Sequence, residues 1–399
     1  MTPARRTLAY GLTANVVVLG IVSLFTDVSS EMIIPILPFF LTQVLLASPL
    51  IVGVIEGFSE SVVSFMKIVS GRLSDASTGR KRFVAAGYGL STAMKVLFPF
   101  TQNWPQFFAL RVVERTGKGI RDAPRDALLT ESTFAETRGK AFGFHRTMDT
   151  TGAIAGPIVT LVVLTTVGAA MTLEAKYRLI LGLAAIPALV SVLVIFFVRE
   201  PSRPSAPRQP LRVAFRGIPG PLRRFIAIAS VFSFADFSVA FLLLFAGLEF
   251  ATQEAILLYV LYNIVYALHA FPAGILSDRI GRKPIVLVGY ACFVAMGLLL
   301  TASPGGLTVF VLAFILYGLS YGMAEGTQRA LVADYAPAEI KATVLGAYHT
   351  SVGFVKLASG FVAGFLWVAV SPKATFAFGA ATAAIATVAL VLWRPKATS

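Results

Sequence analysis

The chain has 399 residues, of which 56% are hydrophobic and only 14% charged, with a mean hydropathy of +0.79. A soluble domain carries roughly 25% charged residues, so an ordinary cytosolic enzyme is excluded. A single cysteine, Cys292, and three histidines, His145, His269 and His349, exclude a disulfide framework and a Cys-rich metal cluster. The net charge of +14 is bunched between long apolar stretches and forms no basic domain, so it points to membrane orientation and not to nucleic acid.

Apolar segments of about 20 helical residues, enough to cross a ~30 Å hydrocarbon layer, are predicted in chain order at 13–41, 49–71, 83–101, 105–124, 140–168, 177–198, 222–248, 253–276, 284–302, 307–333, 342–369 and 373–393. The fold class this implies is all-α integral membrane, with twelve transmembrane helices and no room for a soluble domain. The first segment follows Arg5 and Arg6, as a signal peptide would. It holds Asp27 and Glu31 and eleven spans follow it, so an uncleaved span is expected. Arg72, Arg80, Lys81 and Arg82 lie after the second segment and Arg279, Arg282 and Lys283 after the eighth, whereas 42–48 and 102–106 carry no charge. Lysine and arginine stay on the cytoplasmic side. Both termini, with Arg5 and Arg6 at one and Arg394 and Lys396 at the other, are therefore expected in the cytoplasm of a cell carrying this multi-pass protein in its inner or plasma membrane.

Residues 199–224 break the apolar pattern with seven arginines and six prolines, among them Pro201, Pro204, Pro207, Pro210, Pro219 and Pro221. A basic linker at 199–221 is expected to lie on anionic lipid between an N-terminal six-helix half, 1–198, and a C-terminal one, 222–399. The halves repeat. Gly71, Leu73, Ser74 and Asp75 return as Gly274, Leu276, Ser277 and Asp278; Ala127 and Leu128 as Ala330 and Leu331; Arg138, Gly143 and Thr147 as Lys341, Gly346 and Thr350. Phe25, Asp27 and Ser29 return at a slightly larger offset as Phe234, Asp236 and Ser238. Two parallel, pseudo-symmetric halves suit alternating access around a midplane site.

Gly71-Arg72-Leu73-Ser74-Asp75 followed by Gly79-Arg80-Lys81, and Gly274-Ile275-Leu276-Ser277-Asp278-Arg279-Ile280-Gly281-Arg282-Lys283, resemble the loop signature of the major facilitator superfamily. The resemblance extends over the whole chain through the repeat and implies the major facilitator fold. It also implies a gating latch formed by Gly71, Asp75 and Arg80 and by Gly274, Asp278 and Arg282. Their physical reading is that the glycines permit tight packing, while the aspartates cap a helix end or pair with an arginine. Pro35-Ile36-Leu37-Pro38 at the end of the first segment and Gly152-Ala153-Ile154-Ala155-Gly156-Pro157 in the fifth resemble the twelve-helix drug:proton antiporters of that superfamily. Thr160 and Leu161 stand where that motif has a second pair of glycines. Arg111 fits the fourth-helix motif, in which Arg115 replaces a glycine.

Ionisable groups at membrane depth are costly and usually functional. Asp27 and Glu31 share one face of the first helix, Glu56 and Glu60 one face of the second, with Lys67 two turns further on. Arg111, Glu114, Arg115 and Lys118 form a stripe on the fourth, and the fifth adds His145, Arg146 and Asp149. The second half offers mainly Asp236, His269, Glu325, Arg329, His349 and Lys356, so the coupling chemistry is expected in the first half. A carboxylate taken out of water favours its protonated form and a neighbouring cation reverses that, so making and breaking such a pair loads and releases a proton. Asp27 is the first candidate for this role; Glu31, Glu60 and Asp149 follow, with Arg115 and Arg146 as counter-ions. The alternative for the same residues is a set of static ion pairs between helices. His145 is either a proton relay or a hydrogen-bond partner of Asp149. Arg121, Asp122, Arg125 and Asp126 read as gate ion pairs, Glu249 and Glu254 as water-facing, Cys292 as packing. Phenylalanines 25, 58, 234 and 237 either pack or touch an apolar substrate.

The expected function is proton-coupled secondary transport, with export of small amphipathic or cationic molecules. Two alternatives stay open: a carrier of divalent metal ions or metal complexes held by Asp27, Glu31, Glu56 and Glu60, and uptake of an organic anion bound by Arg111, Arg115 and Arg146. A receptor or scaffold would need a soluble domain, and an intramembrane enzyme a nucleophile with its base. The expected partners are a small molecule or ion, protons and the bilayer; no cofactor is expected, and the chain should act as a monomer.

Overall fold

The structure is a computed structural model that describes residues 12–77, 79–134, 137–167, 171–200, 218–337 and 340–394. Arg5, Arg6, Lys396 and linker residues 201–217 lie outside the described residues. The helices are α1 (Ala14–Ile33), α2 (Pro49–Asp75), α3 (Lys81–Leu97), α4 (Trp104–Glu131), α5 (Arg138–Thr166), α6 (Leu173–Ile195), α7 (Gly220–Ala235), α8 (Val239–Ala246), α9 (Thr252–Ile280), α10 (Arg282–Ala302), α11 (Leu307–Tyr335), α12 (Lys341–Ala369) and α13 (Pro372–Leu392). Their starts follow capping chemistry: Thr13, Asn103, Thr172 and Ser371 each accept a backbone N–H from the first turn of α1, α4, α6 and α13.

Among the described residues, eleven helical stretches are long and apolar enough to cross a membrane, with α7 and α8 counted as one. Helix α4 is 28 residues long, about 42 Å at 1.5 Å per residue, but its Arg111, Glu114, Arg115, Lys118, Arg121, Asp122, Arg125 and Asp126 take it below the apolar threshold. A helix bonds most of its backbone groups internally, which is what a hydrocarbon layer demands. Side chains such as Leu193, Phe196, Phe197, Leu268 and Phe271 stand exposed, as lipid-facing residues would.

Two expected spans are broken where the chain withdraws a donor or supplies a cap. The 13–41 segment stops as an α-helix at Ile33, because Pro35 has no N–H to continue the ladder and the Ile36 N–H turns to the Ile33 carbonyl at 3.2 Å. The Met32 carbonyl left over accepts instead from Thr160 Oγ of α5 at 2.8 Å. A short helical turn, Leu37–Phe39, and a wide π-type turn, Phe40–Val44, follow. The 222–248 segment is not continuous either. It unwinds at Asp236–Ser238, where Asp236 has ψ 79° and the Ser238 hydroxyl caps α8 by accepting the Ala240 N–H.

The chain packs as two units, Met1–Leu46 with Val62–Pro210, and Ala47–Ser61 with Leu211–Ser399. Packing thus groups the first half of α2 with the second unit and not with the rest of 1–198. The reason is glycine: a Cβ on Gly57 would stand 2.6 Å from the Lys356 carbonyl of α12, and one on Gly364 would stand 2.6 Å from Leu50 Cα. The Ser61 hydroxyl adds a bond to the Gly353 carbonyl at 2.8 Å. In unit 1, Val16, Leu19 and Val22 of α1 bury against Val84, Tyr88, Leu128, Leu129 and Ile195. Unit 2 has an aromatic core in which Phe232 stacks on Tyr290 at 3.7 Å. Phe237 lies buried against Phe241, Phe293 and Phe376, so it packs.

Candidate functional site

In unit 1, two glycines of α5 let the backbone of α1 approach closely and seat its acids. A Cβ on Gly152 would meet Asp27 Cβ at 2.9 Å, and one on Gly156 would meet Glu31 Cβ at 2.6 Å. Asp27 lies in the electrostatic field of Asp149, Lys118, Glu31 and Arg125. Asp149, one helix over, accepts from the Ser23 hydroxyl of α1 and sits 3.4 Å from His145 Nδ1. His145 thus faces Asp149 through Nδ1, and its Nε2 is buried without a hydrogen bond. Arg146 of α5 is exposed. The structure therefore brings Asp27, Glu31, His145 and Asp149 together, with the cations Lys118 and Arg125 acting on Asp27.

Arg115 belongs to a second, deeply buried cluster. Glu114 lies 3.2 Å from Arg111 and 3.5 Å from Arg115, and all three side chains are buried. Next to it Lys95 of α3, 1% exposed, donates to the hydroxyls of Ser29 and Ser30 at 2.9 Å each. The sequence reading passed over Lys95, although a lone lysine in an apolar helix is itself the signal for a membrane-embedded charge. Further along α4, Asp122 pairs with Lys67 at 2.9 Å and with Arg125 at 4.0 Å, and Arg121 stacks over the Tyr88 ring at 4.3 Å.

Glu56 and Glu60 fall in unit 2, where Glu56 accepts from the Ser238 hydroxyl at 3.0 Å. Among the described residues, no group of three or more His, Cys, Asp or Glu side chains is placed to hold a metal ion. Unit 2 has its own part-buried charge pair. Lys356 Nζ lies 2.5 Å from Asp236 Oδ2 and also donates to the Asp236 carbonyl freed by the helix break. The Tyr321 and Tyr317 hydroxyls donate to the same carboxylate at 3.2 and 3.4 Å. Tyr262 stacks on Tyr317 at 5.1 Å, and the Tyr266 hydroxyl reaches Glu325 at 3.1 Å. The tyrosines at 259, 262 and 266 and at 317 and 321 recur at helical spacing, a pattern visible in the sequence.

The two loop signatures have matching geometry. Arg80 pairs with Asp75 at 2.7 Å and Glu131 at 3.1 Å; Arg282 pairs with Asp278 at 2.5 Å and Asp334 at 3.0 Å. Both aspartates thus pair with arginine. The glycines differ from expectation: a Cβ on Gly71 would make an ordinary contact with Ala123 at 3.4 Å and Gly274 has open space around it, so close packing demands glycine at neither.

A family model of the Major Facilitator Superfamily matches residues 19–246 and 225–399. The chain belongs to this superfamily. It is a multi-pass membrane transporter and not an enzyme. An uncharacterized MFS-type transporter of Methanocaldococcus jannaschii is 38% identical over 384 residues, covering 94% of this chain and 93% of that protein. The crystal structure of a nucleoside transporter superposes with a TM-score of 0.80 at 15% identity, over 96% of this chain and 100% of the other. That of a D-xylose-proton symporter gives 0.77 at 18% identity, over 96% and 98%. At such identities the likeness shows the shared fold alone.

Proposed function

We propose that this superfamily member is a proton-coupled secondary transporter that works by alternating access and exports small amphipathic or cationic molecules, like the drug:proton antiporters its first and fifth helices resemble. In this reading α4 is the twelfth span, the spans form two six-helix halves, and both termini face the cytoplasm. The observation that carries it is the seating of Asp27 on Gly152, within the field of Asp149 and the cations Lys118 and Arg125. A carboxylate held between a second acid and two cations changes its proton occupancy when a helix shift alters those distances. The Ser23 and His145 contacts of Asp149 tie that acid to α1 and to its own helix, so motion of α1 along the glycine track changes both acids at once. The Asp75–Arg80 and Asp278–Arg282 pairs serve as the latch.

A second reading, uptake of an organic anion, draws on the cluster of Lys95, Arg111 and Arg115, whose three cations bury with the carboxylate of Glu114. Proteoliposomes under an imposed pH gradient, screened with cationic drugs, organic anions and divalent metals, separate the two. Export coupled to the gradient for cationic drugs is expected in the wild type. In Asp27→Asn the gradient-driven flux should fall to the level of protein-free vesicles, while exchange without a gradient persists. Flux that ignores the gradient, or a variant with unchanged coupling, would remove the proton mechanism at Asp27.

A further inference from the structure

The pattern Phe-x-Asp-x-Ser returns in the second half, but the backbone around the two aspartates differs. The helix that carries Asp27 runs unbroken from Ala14 to Ile33, whereas the chain unwinds at Asp236 between α7 and α8. The break frees the Asp236 carbonyl at the C-terminal end of α7, where the helix dipole is negative. Within unit 2, that carbonyl and the carboxylate Oδ2 both accept from Lys356 Nζ of α12. The Tyr317 and Tyr321 hydroxyls donate to the same carboxylate and hold it in place.

A carboxylate and a freed carbonyl at a broken membrane helix are groups with which transporters hold a cation, and here a side-chain ammonium stands as that cation. The α12 backbone at Lys356 is pinned, because a Cβ on Gly57 would stand 2.6 Å from the Lys356 carbonyl. The ammonium therefore leaves by rotation of its flexible four-carbon stem, with no helix movement. The lysine end of the pair is the more open, with 19% of its side chain exposed against 9% for Asp236. Beside the carboxylate the Tyr317 and Tyr321 rings lie 5.2 Å apart, and Tyr262 stacks on Tyr317, which gives a wall for a carbon chain and π-faces for a charge. Two acceptors suit the N–H donors of an ammonium. They are too few for a hard metal ion, which gathers about six oxygens.

We infer that the break between α7 and α8 is a binding site for a primary ammonium group, held by the Asp236 carbonyl and carboxylate, with Lys356 as a tethered occupant that the ligand replaces. One ammonium takes the place of another, so Asp236 is at no point left as an unpaired charge. Quaternary ammonium ions have no N–H and do not fit. On the reading above that cationic molecules are exported, primary alkylamines become the cargo class.

The test uses the full-length protein in detergent with no pH gradient, and its readout is the unfolding temperature. The probe is propylammonium chloride, against tetramethylammonium chloride and sodium chloride at equal ionic strength. A saturable rise with propylammonium alone is expected in the wild type. Lys356→Ala removes three carbons and the ammonium, the heavy atoms of the probe itself. If Lys356 vacates the site for about a tenth of the time or less, this variant should saturate at a concentration at least about tenfold lower. Asp236→Asn should lose the response, and its comparison with the wild type decides the matter even if Lys356→Ala does not fold. No saturable propylammonium response in the wild type, a folded Lys356→Ala with no gain, an equal response to sodium or tetramethylammonium, or an unchanged response in Asp236→Asn would each overturn the site. With no gradient applied, loss of proton coupling in the flux assay would leave a positive result standing, and absence of propylammonium binding would leave the role of Asp27 standing.

Discussion

Glu114→Gln is expected to lower the stability of the folded protein by about 3–5 kcal/mol, the cost of removing one partner from a buried ion cluster. The Glu114 carboxylate, 2% exposed, faces the Arg111 and Arg115 guanidiniums, and Lys95 lies in the same buried region of unit 1. Glutamine keeps the shape and the hydrogen-bonding reach but not the charge, so the variant tests charge balance and not packing. The measurement is the unfolding temperature of monodisperse protein in detergent, with Glu114→Asp as the companion that keeps the charge and should retain most of the stability. Equal unfolding temperatures for Glu114→Gln and the wild type would show that the three cations do not depend on this carboxylate.

Gly156→Leu should destabilise unit 1 by about 3 kcal/mol or more, because overpacking a backbone-to-backbone contact leaves no side chain able to yield. Even a single Cβ at 156 would stand 2.6 Å from Glu31 Cβ and 2.7 Å from the Val28 carbonyl. Whatever folds will hold α1 further from α5, moving Asp27 and Glu31 away from Asp149, so gradient-driven flux should fall along with stability. Gly139→Ala, on the same helix with nothing within 4 Å of its added methyl, is the control and should leave both unchanged. A Gly156→Leu protein that elutes and melts like the wild type would contradict the close approach of the two helices.

Much of the fold was legible without coordinates because membrane insertion imposes a local code. A run of about 20 apolar residues has little choice but to form a helix, and the positions of α2, α3, α5, α6 and α9 to α13 follow those runs within a few residues. The Gly-x-Leu-Ser-Asp repeat and the Gly152 and Gly156 pair could be read because their roles are local: a turn, and a helix face without side chains. The unwinding at Asp236 could not. Its hydropathy is that of a continuous span, and the break depends on Lys356, 120 residues away, supplying the donor to the freed carbonyl. Part of the pairing of charges was hidden for the same reason. Glu114 meets Arg111 and Arg115 on its own helix, within reach of helical spacing, but that Asp122 meets Lys67 depends on the approach of α2 to α4.

From the sequence alone came the solvent in which this protein folds, the places of most long apolar segments, the repeat and the short set of charges worth examining, because each depends on composition and spacing along the chain. The tertiary structure decided which of those charges meet. Charge pairing falls off over a few ångströms, and distances between helices are set by packing that no single helix carries. It also decided that Asp27 and Glu31 sit on glycine and that the freed carbonyl of Asp236 meets Lys356.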